Sequence, residues 1–382
     1  MVIQPSDRLS LFNEYYFSRK LREIAQMREE GKDVINLGIG SPDMAPATEV
    51  VQALFTSAQQ PDNHGYQPYN GSPQLRKAIS DWLGEYYGVS LVPDNEILPL
   101  LGSKEGVLHV SMAFLNPGDK ALVPEAGYPA YRALTAMVGG EAVDYSLTDD
   151  WLPDFDQLSR MDLARVKLMW LNYPHMPSGT PATPELFEKA VAFAKDKGIL
   201  LCHDNPYSLV LNESPLSIFN VSGAKEVCLE LNSLSKSHNM AGWRVGWLAG
   251  KAEYIGPTLK IKSNIDSGMF RAVQDAAMAA LALPKEWHAQ RNEVYRRRQG
   301  LAFDLLETLG CAFRKDQVGM FVWGRIPDNE EGAEGLADKI LGEKFVFITP
   351  GTIFGKKGGR YVRISLCLPE DKMQEALERL KS

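Results

Sequence analysis

The chain has 382 residues, of which 45% are hydrophobic and 23% charged, with a formal net charge of -7 and a pI near 5.5. This composition is typical of a folded protein with room for two domains. The acidic balance and the interleaved charges argue against binding to nucleic acid or to an anionic membrane. The N-terminus lacks the apolar core of an export signal, and no apolar stretch is long enough to span a membrane, so we expect a cytoplasmic protein.

The four cysteines show neither a C-x-x-C pair nor the spacing of a metal site: Cys202, Cys228, Cys311 and Cys367. Two of them lie in the apolar runs "ILLCHD" and "VRISLCL", which predict buried strands. We therefore expect reduced core residues and no bound metal.

Between about residues 98 and 250, short apolar runs alternate with helix-length segments. The runs are "KALVPE", "VKLMWLNYP", "GILLCHD", "EVCLELNSL" and "RVGWLAG". Strands that are apolar at consecutive positions predict a mainly parallel sheet covered on both faces. One connecting helix has clear ends, because Thr183 can cap it, Pro184 suits its first turn and Gly198 can end it.

The C-terminal region has a different predicted pattern of secondary structure. The run "YVRISL" predicts a strand, and "EDKMQEALERL" predicts a helix with four apolar residues on one face: Met373, Ala376, Leu377 and Leu380. We therefore predict an α/β fold with a large domain at residues 47–287. A smaller α+β domain would combine the N-terminal segment, residues 1–46, with residues 288–382.

Candidate functional residues follow the predicted strands, where ligands bind in open parallel sheets. Asp204 and Tyr207 lie in "DNPY", directly after "ILLCH". Ser103, the last residue of "LLGS", and Lys104 open a predicted helix, as an anion site would require. Each feature alone also has an ordinary structural explanation. Asp204 could cap a helix, and the segment at Ser103 and Lys104 could be a plain strand-to-helix turn.

The segment "SLSKSHNMAGWRVGW" at residues 233–247 gives these features a chemical meaning. A lysine that forms a Schiff base with an aldehyde cofactor must be held near a fixed anchor. Around Lys236, the side chains of Ser233, Ser235 and Arg244 could bind a phosphate, and Asp204 could face a pyridine nitrogen. Together these residues predict a pyridoxal phosphate site.

On these residues the chain resembles the class I/II aminotransferases of pyridoxal-phosphate fold type I. Nine segments carry the resemblance in the family's order: "INLGIGSPDMAPA", "YQPYNGSPQLRKAI", "LGSKEG", "VPEAGYPAYRA", "LNYPHMPSGT", "HDNPYSLV", "SLSKSHNMAGWRVGW", "TPGTIFG" and "YVRISL". The resemblance implies a large sheet of the seven-stranded type. It also implies transfer of an amino group between an L-amino acid and a 2-oxo acid by a ping-pong mechanism.

The resemblance also implies a role for each matching residue. Lys236 would carry the cofactor as a Schiff base, Asp204 would keep the ring nitrogen protonated, and Tyr207 would hydrogen-bond the ring hydroxyl. Tyr66 would reach the phosphate of the partner subunit in a homodimer. The remaining residues would bind the phosphate (Ser103, Lys104 mainly through its backbone, Ser233, Ser235, Arg244), the ring (Tyr128, for which a core position is the alternative, and Asn172) or the substrate carboxylate (Gly40, Arg363).

One position departs from the family. The pattern N-x-P-x-N-P-T-G reads "NYPHMPSG" here, so Met176 replaces an asparagine that would donate to the ring hydroxyl. A thioether cannot donate, and hydrogen bonds to an ionised group favour that form. We therefore expect the Schiff base to have a higher pKa than in relatives with asparagine, unless His175 or Asn172 compensates.

The same residues are compatible with other functions. A carbon-sulfur β-lyase or a decarboxylase of the same fold would use the same lysine and aspartate. Some regulators carry such a domain as a non-catalytic cofactor sensor fused to a DNA-binding domain, for which we expect no room ahead of residue 35. A nucleotide-dependent oxidoreductase is not favoured, because "LGIGSPD" fails the G-x-G-x-x-G pattern.

The sequence gives only weak signals about the substrate. The segments "KSNIDSGMF" at residues 262–270 and "NEYYF" near the N-terminus are similar to those of aminotransferases for diaminopimelate or for neutral amino acids such as alanine and methionine. No arginine is assigned to a second carboxylate, so strict aspartate specificity is not favoured.

Overall fold

The computed structural model describes residues 3–6, 9–10 and 16–382, so residues 13–15 of "NEYYF" lie outside the described part. The strands, in chain order, are β1 Ile35–Asn36, β2 Ile97–Leu100, β3 Lys120–Pro124, β4 Glu141–Tyr145, β5 Val166–Leu171, β6 Leu200–Asp204, β7 Cys228–Ser233, β8 Gly246–Gly250, β9 Ala312–Phe313, β10 Phe321–Arg325, β11 Val346–Phe347, β12 Thr349–Pro350 and β13 Tyr361–Ser365. The helices are α1 Tyr16–Glu29, α2 Thr48–Ala58, α3 Pro73–Tyr87, α4 Ser103–Phe114, α5 Pro129–Met137, α6 Phe155–Arg160, α7 Pro184–Lys197, α8 Leu234–Ser237, α9 Ala252–Lys262, α10 Arg271–Leu281, α11 Lys285–Thr308, α12 Ala333–Lys344 and α13 Glu370–Lys381.

The largest sheet has seven strands in the order β2-β8-β7-β6-β5-β3-β4. Only β8 is antiparallel to its neighbours, so the other six strands end at the same edge. Successive residues of β5 face opposite cores: Leu168 and Trp170 pack with α4 and α5, whereas Met169 and Leu171 pack with α7. The predicted α/β fold with a mainly parallel, two-sided sheet is therefore confirmed.

The five predicted apolar runs form β3, β5, β6, β7 and β8. The other two strands lack that signal: β2 contains Pro99, and β4 is an edge strand that is mostly exposed or half-buried. The predicted ends of α7 are confirmed. Thr183 Oγ1 accepts a hydrogen bond from the backbone N–H of Leu186 at 3.2 Å, and Gly198 ends the helix with a φ of 63°.

A second, smaller body contains the antiparallel sheet β12-β13-β10-β9, together with a parallel pair of β1 and β11. The predicted terminal strand and helix are β13 and α13, and Met373, Ala376 and Leu377 are buried in its core. The division at residues 46 and 287 stays a prediction. The long helix α11 begins at Lys285, beside the second boundary.

All four cysteines are buried free thiols, as expected from the sequence. No helix in the described ranges has the length and apolar character needed to cross a membrane. Among the same residues, no group of three or more acidic, histidine or cysteine side chains is placed to hold a metal ion.

Candidate active site

A cavity of about 380 Å³ lies at the edge where the parallel strands end. Tyr66 does not reach it, since its side chain is 93% exposed elsewhere on the surface. The other twelve residues predicted for the site all line the cavity: Gly40, Ser103, Lys104, Tyr128, Asn172, Asp204, Tyr207, Ser233, Ser235, Lys236, Arg244 and Arg363.

Lys236 lies on α8, a helix of four residues that begins directly after β7. The helix starts there because Ser233 Oγ accepts a hydrogen bond from the backbone N–H two residues later, at 3.1 Å. The Nζ atom of Lys236 donates to the carbonyl oxygen of Gly40. Burial lowers the pKa of Lys236, and the positive charges of Arg363 and Arg244 lower it further. The amine is therefore more readily available in its neutral, nucleophilic form.

Asp204 is the last residue of β6, and its side chain is buried. Its Oδ2 atom accepts a hydrogen bond from the hydroxyl of Tyr131 at 2.8 Å, whereas Oδ1 is buried with no hydrogen-bond partner among the described residues. Burial raises the pKa of Asp204 to about 6, against smaller lowering effects of Tyr131 and His203. A buried acceptor without a partner is costly, so a cationic N–H placed against Oδ1 would be stabilised.

Hydrogen-bond donors converge where α4 begins. Ser103 opens this helix, and the guanidinium of Arg244 lies so close to Gly102 that a Cβ there would be 2.2 Å from Nη2. A Cβ on Gly246 would be 2.8 Å from the backbone nitrogen of Ser103. Both glycines are therefore needed to bring the helix N-terminus and Arg244 close together. The hydroxyl of Ser235, 2.8 Å from Ser233 Oγ, lines the same cavity. Such a group of donors suits a phosphate.

Arg363 lies on β13, is buried and lines the same cavity. Its guanidinium is 3.8 Å from the ring centre of Phe321 and 4.6 Å from that of Phe354. Nη2 donates to the carbonyl of Gly38 at 2.9 Å, and Nη1 contacts Met176 Sδ at 3.4 Å. The two rings hold the guanidinium plane by cation-π contact, which suits the bidentate binding of a carboxylate.

Hydrogen bonds in the segment around Met176 fix the side chains of Asn172 and His175. Asn172 accepts a hydrogen bond from the Met176 backbone N–H at 3.0 Å and donates to the carbonyl of Asp204 at 2.6 Å. The ring nitrogens of His175 lie 2.7 Å from Ser178 Oγ and 3.1 Å from a main-chain carbonyl. Both ring nitrogens of His175 are engaged in these contacts, whereas the bond to Asp204 uses one of the two N–H groups of the Asn172 amide.

Two tyrosines complete the walls of the cavity. Tyr128 caps α5 and packs edge-on against Tyr131, with ring centres 5.5 Å apart. Tyr207 is almost fully buried and packs edge-on against Phe321 at 5.9 Å. Burial raises the pKa of Tyr207, so its hydroxyl stays protonated and can act as a donor.

Several residues of the site were missed in the sequence. Phe354 and Tyr131 stand in quoted motifs, but nothing in the motif letters indicates contact with Arg363 or Asp204. Ile39 also stands in a quoted motif, "INLGIGSPDMAPA", whereas Leu21 and Phe321 lie outside these motifs and reach the cavity only through the fold.

Pyridoxal phosphate fits these residues. The unpartnered Oδ1 of Asp204 matches a protonated pyridine nitrogen, and the amine of Lys236 matches the aldehyde. The donors around Ser103, Ser235 and Arg244 match the phosphate.

Comparison with known proteins agrees with this chemistry. The model of the family described as aminotransferase class I and II matches residues 32–380. The chain belongs to this family. Class I and II aminotransferases depend on pyridoxal phosphate. The predicted family, fold type and amino-group transfer are therefore confirmed, and the protein is a transaminase.

Relatives resemble this aminotransferase over nearly their whole length. LL-diaminopimelate aminotransferase of Moorella thermoacetica is 40% identical over 99% of this chain and 98% of its own, and that of Aquifex aeolicus is 38% identical over the same shares. Among solved structures, substrate-bound BacF of Bacillus subtilis has a TM-score of 0.93 at 35% identity, covering 100% of this chain and 98% of its own. A single mutant of Thermus thermophilus aspartate aminotransferase has a TM-score of 0.92 at 25% identity, covering 100% and 99%.

Proposed function

We propose that this aminotransferase binds pyridoxal phosphate in the cavity and there moves the amino group of an L-amino acid to a 2-oxo acid. One observation carries the proposal: a half-buried amine of lowered pKa, a buried carboxylate oxygen without a partner among the described residues, and a buried guanidinium share one cavity. These groups belong to Lys236, Asp204 and Arg363. Each is costly to bury alone, and each is complementary to one part of a cofactor-bound amino acid.

The residues have separate tasks in the proposed reaction. When bound, the cofactor supplies an aldehyde that condenses with amines and a protonated ring that withdraws electrons from the substrate. Lys236 Nζ, once released by the incoming amine, accepts the proton from the substrate Cα. Asp204 Oδ1 accepts a hydrogen bond from the ring nitrogen and keeps it protonated. The hydroxyl of Tyr207 donates to the ring oxygen.

Arg363 orients the substrate. Its guanidinium binds the α-carboxylate through two nitrogens, which fixes the Cα–H bond relative to Lys236. The rings of Phe321 and Phe354 cover its faces and exclude water, which strengthens the ion pair. Gly40 must be a glycine because a Cβ there would be 2.2 Å from the Phe321 ring.

The same proposal includes a homodimer in which Tyr66 enters the partner's site. Its loop is held firmly: Lys262 Nζ donates to the carbonyl of Tyr69 at 2.9 Å, and a Cβ on Gly268 would be 2.5 Å from the carbonyl oxygen of Gln67. A fixed loop that ends in an exposed ring suits contact with a second chain. Further exposed apolar side chains lie on this loop and on the adjoining segment 263–270, between α9 and α10: Tyr69, Ile265 and Phe270.

Mixed dimers test this part of the proposal. Lys236→Ala and Tyr66→Ala each disable the sites of their own homodimer. A dimer with one chain of each kind has one intact site if Tyr66 acts across the interface. We therefore expect activity to return when the two variants are mixed, unfolded and refolded together. Activity that does not return, or a monomer by sedimentation, would contradict a shared site.

Two classes of amino-group donor follow from the evidence. The curated relatives are named for LL-diaminopimelate, and we propose this amino acid as the first donor. Neutral amino acids are the second candidate, because Leu21, Ile39 and Phe354 present apolar surface to the cavity. We also propose a cytoplasmic location, which four free thiols favour.

Visible spectroscopy of the purified, cofactor-loaded protein tests the proposed reaction. LL-diaminopimelate, alanine and methionine are added in turn, followed by 2-oxoglutarate or pyruvate. We expect one donor to abolish the absorbance of the aldehyde form and a 2-oxo acid to restore it. Pyruvate and ammonia from cystathionine would indicate a β-lyase instead, and release of carbon dioxide a decarboxylase. Binding of cofactor without turnover would indicate a sensor.

A further inference from the structure

Helix α11 runs past the site without lining the cavity, yet it contacts four of the segments that build it. Two buried arginines make these contacts, Arg291 and Arg298. They are seven residues apart, which is two turns of an α-helix, so both project from the same face.

Arg291 binds the segments that carry the lysine and the tyrosine of the site. Its Nη1 donates to the carbonyl of Ser237, the last residue of α8 and the neighbour of Lys236. Its Nη2 donates to the carbonyl of Leu209 at 2.5 Å, two residues after Tyr207. The last carbonyls of a helix lack partners within the helix, so the guanidinium completes the C-terminal end of α8.

The electrostatics of Arg291 make this contact resistant to displacement. Within the described part of the chain its partners are neutral: the two carbonyls, Asn292 Oδ1 at 3.0 Å and His288 Nδ1 at 3.2 Å. Burial lowers the pKa of Arg291 to about 10. Removing an acceptor from a buried cation is costly, so α8 cannot move away from α11 without losing stability.

Arg298 binds the segments that face the substrate carboxylate. Its Nη1 and Nη2 donate to the carboxylate of Asp43 at 2.6 and 2.8 Å, and Nη1 also donates to the carbonyl of Leu366 at 3.0 Å. Asp43 is three residues after Gly40, and Leu366 is three residues after Arg363. One guanidinium thus links the two chain segments, those of Gly40 and Arg363, that lie at the proposed position of the substrate carboxylate.

We propose that α11 is the positioning element of the active site, with Arg291 fixing the segment of Lys236 and Arg298 fixing the segments of Gly40 and Arg363. The proposal rests on the roles given to Lys236 and Arg363 under the proposed function. Both arginines on α11 are positioning residues, since neither lines the cavity. Their effects on the reaction should therefore be separable.

Kinetics of two matched variants test the separation. Arg291→Met should lower kcat by about 10²-fold with little change in KM for the amino acid, because a small displacement of the reacting group has an effect of that size. Arg298→Met should raise KM for the amino acid by about tenfold or more with little change in kcat, as expected when binding of the substrate and of the transition state is weakened equally.

Two measurements on the cofactor-free protein do not depend on turnover. The first is the pH dependence of acetylation of the Lys236 amine by acetic anhydride, followed by mass spectrometry. The second is the affinity for propionate, measured by calorimetry. Arg291→Met should shift the first and spare the second, and Arg298→Met should do the reverse. If the proposed function fails, wild-type protein shows no turnover, while lysine acetylation and propionate affinity still respond separately to the two variants.

The matched control is Arg297→Met, on the same helix but half exposed and paired with Glu370. It should leave both measurements unchanged. Circular dichroism establishes that each variant is folded. Arg291→Lys and Arg298→Lys keep the charge but not the two-nitrogen geometry, and they should give the same pattern at smaller size. Equal changes of both readouts in both arginine variants, or no change in either, would overturn the proposal.

Discussion

The two ends of the cavity are built in different ways. At the cofactor end, Asp204 is the last residue of a strand of the large sheet, and Ser103 and Lys236 each follow such a strand by three residues. Parallel strands end at one edge, so the topology alone brings these side chains together. At the carboxylate end, Gly40 and Arg363 come from segments far apart in the chain, and Phe321 packs them together.

The two ends also differ in how their charges are satisfied. Asp204 has a buried oxygen without a partner, and the pKa of Lys236 is lowered by burial. Arg363 instead has a carbonyl, a thioether and two rings around its guanidinium. The cofactor end is thus arranged to gain free energy from a ligand, whereas the carboxylate end is already held in place.

Removal of the lysine should break the cofactor end completely. Lys236→Ala eliminates both the amine that condenses with the aldehyde and the base at Cα, and general-base catalysis alone contributes up to about 10⁴-fold. We expect kcat to fall by at least this factor, while phosphate binding is retained through Ser235 and Arg244. Steady-state kinetics and phosphate calorimetry measure the two effects.

The control for this change is Lys225→Ala, which removes a half-exposed lysine paired with Glu96. It should leave kcat unchanged. Transaminase turnover by cofactor-loaded Lys236→Ala protein would show that another group performs the proton transfer.

Removal of the guanidinium should break the carboxylate end alone. Arg363→Leu loses a buried, bidentate contact to the substrate, and truncation of such a partner costs about 2–5 kcal/mol. We expect kcat/KM for amino acids to fall by roughly 10²- to 10³-fold, with unchanged cofactor affinity. Kinetics and cofactor titration on one preparation separate these effects.

Arg325→Leu is the matched control, since this exposed arginine lies on the neighbouring strand β10 and pairs with Asp328. Its kcat/KM should equal that of the wild type. Unchanged apparent affinity for amino acids in Arg363→Leu would remove Arg363 from the substrate site.

The contrast between the two ends explains what sequence alone could predict. Apolar runs identified β3, β5, β6, β7 and β8, and the polar residues after them identified the cofactor end. Asp204 and Lys236 follow directly from this logic, because strand ends determine their positions. The roles taken from the family resemblance remain proposals.

The carboxylate end could not be predicted in the same way. Phe321, Phe354 and Leu21 meet Arg363 or its cavity only through tertiary packing. Phe321 and Phe354 are buried core residues and Leu21 is an exposed helix residue, so none of them stands out in its own segment. The same applies to Arg291 and Arg298, whose partners are backbone carbonyls and a remote aspartate. Every residue type has a main-chain carbonyl, so contacts to these acceptors cannot be identified from the sequence.

Replacement of Asp204 should change the stability of the cofactor-free protein, which tests whether the cofactor end carries an unsatisfied buried charge. The pKa of Asp204 is raised from 3.8 to about 6, so the folded protein binds more protons than the unfolded chain between these values. Stability contributed by this group therefore falls as pH rises through that window and stays low above it. Asp204→Asn removes the effect, and at pH 8 the cofactor-free variant should be more stable by up to about 3 kcal/mol.

Urea denaturation of cofactor-free protein at pH 4 and pH 8 measures this difference. The gain should be present at pH 8 and nearly absent at pH 4, although the variant loses activity. Asp144→Asn, which removes an exposed partner of Arg132, should change stability by less than about 1 kcal/mol at either pH. An equal gain at both pH values for Asp204→Asn would contradict a raised pKa.

The smallest expected effect concerns Met176, which touches Arg363 and lies beside the cofactor end. Met176→Asn introduces an amide donor that can stabilise the ionised ring hydroxyl of the bound cofactor. A single hydrogen bond contributes about 1 kcal/mol, which corresponds to somewhat less than one pH unit. We therefore expect the visible absorbance of the loaded variant to titrate at lower pH by about that amount.

Met176→Leu is the control, because it keeps the apolar volume and adds no donor. It should titrate like the wild type, and a Met176→Asn midpoint that is not lower would disprove the missing-donor interpretation. The affinity of both variants for the amino acid then relates this residue to the two ends of the cavity. A lower midpoint with unchanged affinity would keep the ends independent at this position. A change in both would mean that Met176, through its contact with Arg363, couples carboxylate binding to the charge on the cofactor ring.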